Sequence, residues 1–232
     1  MDFFTEGFKQ AWVLLMALDP ETLSAVRATM VSTCYAMAAS LLIGLPAGFA
    51  LGYYSFPGRR LLRMMSDTLL AFPTVLIGLI VYGLICRRGI FGDFSLLFTL
   101  PGMAIGQTIL ALPIIISLTA QAVETLDERC SQTLLTLGAN KRQVAVATIQ
   151  ELRFSIMTVA VTAFGRVVTE VGIAMMLGGN IKWETRTITT AIALETNKGE
   201  FAQGMALGIV LLAVAFMLNF ALSFTRRKDR AS

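Results

Sequence analysis

Five long apolar runs divide this chain. They cover residues 28–56, 68–86, 96–123, 154–178 and 202–224, and polar or charged residues gather between them. A helix needs about 20 apolar residues to cross the hydrocarbon layer. Inside lipid a helix satisfies its own backbone groups, so each run predicts a membrane-spanning helix. The strict alternation of a membrane barrel strand is absent. Before the first run, Phe4, Phe8, Trp12 and Leu15 recur at helical spacing. That stretch is too short and too charged for a sixth span, and it predicts a helix lying in the interface. The expected fold is therefore all-α, a polytopic bundle of about five spans in one domain, 1–232, with an N-terminal interfacial segment at 1–21 and a polar tail at 225–232.

Small residues and prolines modulate this picture. Gly44, Gly48 and Gly52 recur every fourth residue in the first run, which predicts close approach of another helix. Pro46, Pro73 and Pro113 lie within runs, where each removes a backbone donor and favours a kink. Composition agrees with lipid as the main solvent: 56% of residues are hydrophobic and 15% charged, with a mean hydropathy of +0.71, against about 25% charged in soluble domains.

The net charge of +4 sits at the ends of the runs. Arg59, Arg60 and Arg63 follow the first run. Arg129, Lys141, Arg142 and Arg153 lie between the third and fourth, and Arg226, Arg227, Lys228 and Arg230 follow the fifth. The positive-inside rule puts these on the cytoplasmic side, with the N-terminus outside; Arg87 and Arg88 run against it. This distribution does not form a nucleic-acid patch. The sequence has no histidine and three cysteines, Cys34, Cys86 and Cys130, without zinc-site spacing or a disulfide framework. No metal site and no catalytic residue is expected. The opening MDFFTEGFKQ lacks the basic start of a signal peptide.

The polar segment 124–153 is patterned. Leu134, Leu135 and Leu137 make an apolar patch ahead of Gly138, which suits a turn. Lys141 and Arg142 then open a second amphipathic stretch through Val144, Val146 and Ile149. From the residues alone this is a helix–turn–helix on the membrane surface, equally an interfacial connector. It resembles the EAA loop of binding-protein-dependent ABC importer permeases, in the form Leu137-Gly138-Ala139-Asn140-Lys141. Gln132, Thr133 and Leu134 replace the usual Glu-Ala-Ala, and Gln150 and Glu151 fall where Leu-Pro is usual. The resemblance implies a coupling helix, gripped by a cytoplasmic ATPase, in which Leu134, Leu137, Gly138, Ala139, Asn140 and Lys141 make the contact.

Two further stretches, 72–116 and 164–201, are similar to the permeases of tungstate importers, with molybdate and sulfate permeases as relatives. The string Gly178-Gly179-Asn180-Ile181 followed by Thr185-Arg186-Thr187-Ile188-Thr189-Thr190 is the most specific part of that likeness. It implies the type I ABC importer permease fold in the inner membrane and a homodimer of the permease. It also implies two ABC ATPase subunits that use ATP and Mg, and an extracytoplasmic oxyanion-binding protein. This chain itself is expected to bind no cofactor. It has no G-x-x-x-x-G-K-[ST] loop, and none of its lysines precedes Ser or Thr, so hydrolysis falls to a separate subunit.

Charges inside the fourth run are the remaining candidates. Arg166 and Glu170 are four residues apart and on one helix would share a face. They read either as a structural ion pair or as a cation offered to a passing anion and held by its partner. In 178–200, Thr185, Thr187, Thr189 and Thr190 read either as caps on backbone groups or as donors to an oxyanion. Asn180, Thr185 and Arg186 join Arg166 and Glu170 as candidate pathway residues, and Lys182, Trp183 and Arg186 are candidates for docking the binding protein. A membrane enzyme would need an acid, base or nucleophile cluster that these residues do not supply. A channel or secondary transporter would favour half-helices or inverted repeats, which the sequence does not display.

Overall fold

The computed structural model describes residues 19–126 and 140–228, together with Thr5, Phe8, Lys9, Trp12, Val13, Thr136 and Gly138. Every regular element among them is helical. The first long helix, α1, is Pro20–Tyr53. It starts earlier than the apolar run because the Asp19 carboxylate accepts the Thr22 N–H at 2.8 Å and Pro20 occupies the first turn. Its 34 residues rise about 51 Å at 1.5 Å each, more than the hydrocarbon layer requires.

The second run is not one straight span. A polar-faced helix, α2 (Arg59–Leu69), meets α3 (Thr74–Ile85) at an angle of 101°. Pro73 sits at the N-cap of α3, so the elbow falls where proline cannot continue a helix. Alone, α3 rises about 18 Å, too short to cross. A 3₁₀ turn, Gly92–Phe94, leads to α4 (Leu100–Glu124), which the Thr99 hydroxyl caps by accepting the Gly102 N–H at 3.2 Å. Pro46 and Pro113 lie inside α1 and α4, which continue through them.

After Asn140 come α5 (Lys141–Glu151), which falls within the polar segment 124–153, then α6 (Arg153–Val168) and α7 (Gly172–Gly178). The fourth run is thus two helices bent by 60°, which corrects the expectation of one continuous span carrying Arg166 and Glu170 on a single helix. Helix α8 (Ile188–Lys198) and the long α9 (Phe201–Lys228) complete the described chain. The tail expected at 225–232 therefore starts as the end of α9. Among the described residues, two helices are long and apolar enough to span alone, or four spans if each bent pair counts as one. Of 1–18, five residues are described and helical, with Phe8 and Trp12 exposed; the rest of the expected interfacial helix lies outside the described residues.

Helices α1 and α4 run side by side in the same direction, with Gly44 against Ile115, Gly48 against Thr119 and Gly52 against Val123. A Cβ on Gly48 would stand 2.7 Å from the Ile116 carbonyl oxygen, so the glycine run is a packing seam. Ala36, Ala111, Ala163 and Val167 close the core where α1, α4 and α6 meet. A second core joins α3, α4 and α7 through Val81, Met103, Ile173 and Leu177. The outward faces are apolar, as with Leu42 and Ile43 on α1 and Phe216 on α9; lipid solvates such faces.

Candidate functional site

The break between α6 and α7 gathers the buried polarity. Glu170 lies past the end of α6 and is 4% exposed. Its Oε1 accepts the N–H groups of Gly172 at 2.9 Å and Ile173 at 3.2 Å, so the carboxylate caps α7. Its Oε2 accepts from Arg166 Nη1 at 2.9 Å. Its carbonyl accepts from Thr189 Oγ1 of α8 at 3.1 Å. One residue thereby ties three helices. Arg166 is different: its side chain is 42% exposed and reaches Glu170 from the rim of the bundle. A carboxylate buried without such partners is severely destabilising; here every oxygen is engaged.

The end of the bundle that holds the start of α1 carries a second cluster. Glu21 receives Lys182 Nζ at 2.7 Å and Arg186 Nη1 at 2.6 Å. Lys182 also lies over the Trp183 ring, 5.3 Å from its centre. Thr185 is buried; its hydroxyl donates to the Gly178 carbonyl and accepts from the Ile181 N–H at 3.2 Å. Thr187 and Thr190 form a capping box at the start of α8, and Thr29 of α1 accepts the Ile188 N–H at 3.0 Å. The threonines of this segment therefore serve backbone groups. Asn180 adopts φ +51°, and its buried Oδ1 has no hydrogen-bond partner among the described residues, nor does Arg186 Nε.

The opposite end holds what sequence reasoning missed. Arg59 Nη2 donates to Glu124 Oε1 at 2.9 Å, and Arg63 donates to the Ser117 carbonyl at 2.8 Å. Read along the sequence these arginines were topology signals; the Asp67 that follows Arg63 by four residues was the available hint of a network. Gly138 has φ +87° and lies in the expected turn, and Asn140 caps α5 in a capping box with Gln143. The amphipathic face expected through Val144, Val146 and Ile149 of α5 does not form. Val144 is buried, whereas Val146 and Ile149 are exposed; a groove of about 520 Å³ runs along Asn140, Gln143, Val146, Ala147 and Gln150. Leu134, Leu137, Ala139 and Cys130 lie outside the described residues, and the side chain of Lys141 is not described. Among the described residues, no three His, Cys, Asp or Glu side chains gather as a metal site.

Residues 44–228 match the family described as the binding-protein-dependent transport system inner membrane component. The chain belongs to this family. Two relatives cover nearly all of it. A tungstate uptake system permease protein of Campylobacter jejuni is 47% identical over 220 residues, 95% of this chain and 92% of that protein. Another tungstate uptake system permease protein, from Peptoclostridium acidaminophilum, is 35% identical over 219 residues, 94% of this chain and 96% of that one. Among solved structures, the inward-facing MetNI methionine ABC transporter aligns with a TM-score of 0.73 over 90% of this chain and 95% of that chain, at 17% identity. At that identity the likeness speaks for the fold, which is the all-helical type I importer permease fold that the sequence led us to expect. An inner membrane component for transport, rather than an enzyme, is the class to which this permease belongs.

Proposed function

We propose that this permease serves an ATP-driven importer carrying tungstate inward by alternating access. The observation that carries the substrate is the 47% identity to a tungstate permease across 95% of the chain. In this reading two copies of the chain enclose the pathway, and two ABC ATPases supply energy from ATP and Mg. An extracytoplasmic binding protein delivers the anion. The N-terminus faces outside and the C-terminus the cytoplasm. The turn at Gly138, with Leu134, Leu137, Ala139, Asn140 and Lys141, meets the ATPase. The exposed Val146 and Ile149 of α5 give that partner an apolar surface to cover.

Arg166 is the cation that tungstate, a tetrahedral dianion, meets inside the membrane. In a low-dielectric setting a half-exposed guanidinium exerts a stronger pull than it does in water. Glu170 holds it in the absence of anion. Asn180, Thr185 and Arg186 shape the outer end rather than touch the anion, because Thr185 and Arg186 are already engaged with Gly178 and Glu21.

The test is tungstate uptake into vesicles holding the permease with its ATPase and binding protein. Arg166→Gln lowers uptake about tenfold or more, the factor for losing a charged hydrogen bond. Membrane insertion and co-purification of the ATPase stay intact. Normal uptake by this variant removes Arg166 from the pathway, and preference for sulfate over both tungstate and molybdate overturns the substrate.

A further inference from the structure

Helix α2 is held in an unusual way. It buries no residue, so apolar packing does not fix it; two arginines do. Arg59 donates to the Leu51 carbonyl at 2.8 Å and the Gly52 carbonyl at 3.1 Å, two acceptors that the end of α1 leaves without helical partners. Arg63 donates to the Ser117 carbonyl and hydroxyl of α4 at 2.8 and 3.2 Å and pairs with Asp67 at 3.3 Å. The Ser117 hydroxyl in turn donates to Asp67 at 2.6 Å. Both arginines converge on Glu124, at 2.9 and 3.6 Å. Glu124 is the last residue of α4 and the first of the segment read as the coupling loop.

We infer that Glu124, through Arg59 and Arg63, is the joint by which movement of the coupling segment is passed to α2. The inference rests on the reading that this segment grips an ATPase. The glycine seam locks α1 to α4, so these two helices move together and α2 is what pivots against them. Helix α2 leads through the 101° elbow to α3. There Gly78 lies so close to Met176 of α7 that an added Cβ would stand 2.9 Å from its sulfur. Helix α7 begins at the Glu170 cap. The ionic joint therefore opens a route from the coupling segment to the Arg166–Glu170 break that does not pass through α5 and α6. Charged forks on backbone carbonyls suit such a joint, because they tolerate a change of angle that interlocked apolar side chains would resist.

Glu124 is accordingly a positioning residue, and its signature is coupling rather than assembly. The complete complex in vesicles is assayed for tungstate taken up per ATP hydrolysed. Glu124→Gln should assemble in normal amount and hydrolyse ATP, while moving about threefold less tungstate per ATP. Glu124→Asp should restore the ratio. If Glu124→Gln leaves that ratio unchanged, whether or not both rates fall together, the joint is a brace only and the inference fails. Should Glu124→Gln fail to assemble, Arg63→Lys decides: it keeps the charge, loses the fork, and must lower the same ratio. A wild-type complex without ATP-dependent tungstate uptake would overturn the importer reading, and this inference with it.

Discussion

Gly48→Ala isolates the seam that makes α1 and α4 one body. The new Cβ would meet the Ile116 carbonyl oxygen and Thr119 Cβ, both at 2.7 Å, and Ile116 Cα at 3.1 Å. Two of those atoms are backbone and cannot swing away, so the helices must separate by several tenths of an ångström. Overpacking of this kind costs about 1–3 kcal/mol. Alanine also restores up to about 1 kcal/mol of helix propensity, which partly hides the effect. Gly208→Ala in α9 corrects for this, because a Cβ there meets nothing within 4 Å. The difference between the two variants is then the steric term alone. At about 2–4 °C per kcal/mol for a chain of this size, Gly48→Ala should melt about 2–12 °C below Gly208→Ala when heat denaturation is followed in detergent. Equal melting temperatures, or a higher one for Gly48→Ala, would show that α1 and α4 have slack between them. The rigid pair on which the α2 joint depends would then be lost.

Thr185→Val keeps the shape of a buried side chain but strands the Gly178 carbonyl and the Ile181 N–H. It should cost about 1–3 kcal/mol in the same melting assay while leaving tungstate uptake per folded complex unchanged; a selective loss of uptake would return Thr185 to the pathway. Asn140→Ala removes the capping box of α5, worth about 1 kcal/mol, and should speed amide exchange at Gln143 and Val144 with little change in global melting.

The apolar segments were legible because lipid imposes a length and a composition that few other environments demand: the runs fall on α1, on α3 with the last two residues of α2, on α4, on α6–α7 and on α9. Their bends were harder to read. Three prolines carried the same warning, yet Pro46 and Pro113 sit inside continuous helices while Pro73 marks the elbow; the difference is tertiary, since α1 and α4 brace each other along the seam, whereas Phe72 at the elbow packs on the core of α3, α4 and α7. The break at 169–171 was hidden by the assumption that charges four apart lie on one helix. Arg166 and Glu170 do meet, but across the end of α6, where the carboxylate has left the helix to cap the next one. Glu21 and Glu124 were invisible as functional candidates because their partners, Arg186 and Arg59, lie far away in the sequence, and no local spacing announces such pairs. Val144, Val146 and Ile149 could not be sorted into buried and exposed without knowing where α6 packs.

The two members of the pair at the break are not equivalent, and this bears on which of them an anion would engage. Glu170 keeps two backbone N–H bonds to α7 whatever Arg166 does. It would remain capped if the guanidinium turned away. Arg166 has Glu170 as its side-chain partner among the described residues, and 42% of its side chain is exposed. Releasing Arg166 breaks one charged hydrogen bond and leaves the Glu170 carboxylate to its two backbone donors. Releasing Glu170 would uncap α7 and leave a charge buried, which costs several kcal/mol. The asymmetry makes the arginine the movable partner and the glutamate its fixed anchor. In the transport reading proposed above, an oxyanion that exchanges with Glu170 for Arg166 meets a cation held in place yet free to leave, the condition a transporter needs if it is to take up its substrate and then let it go.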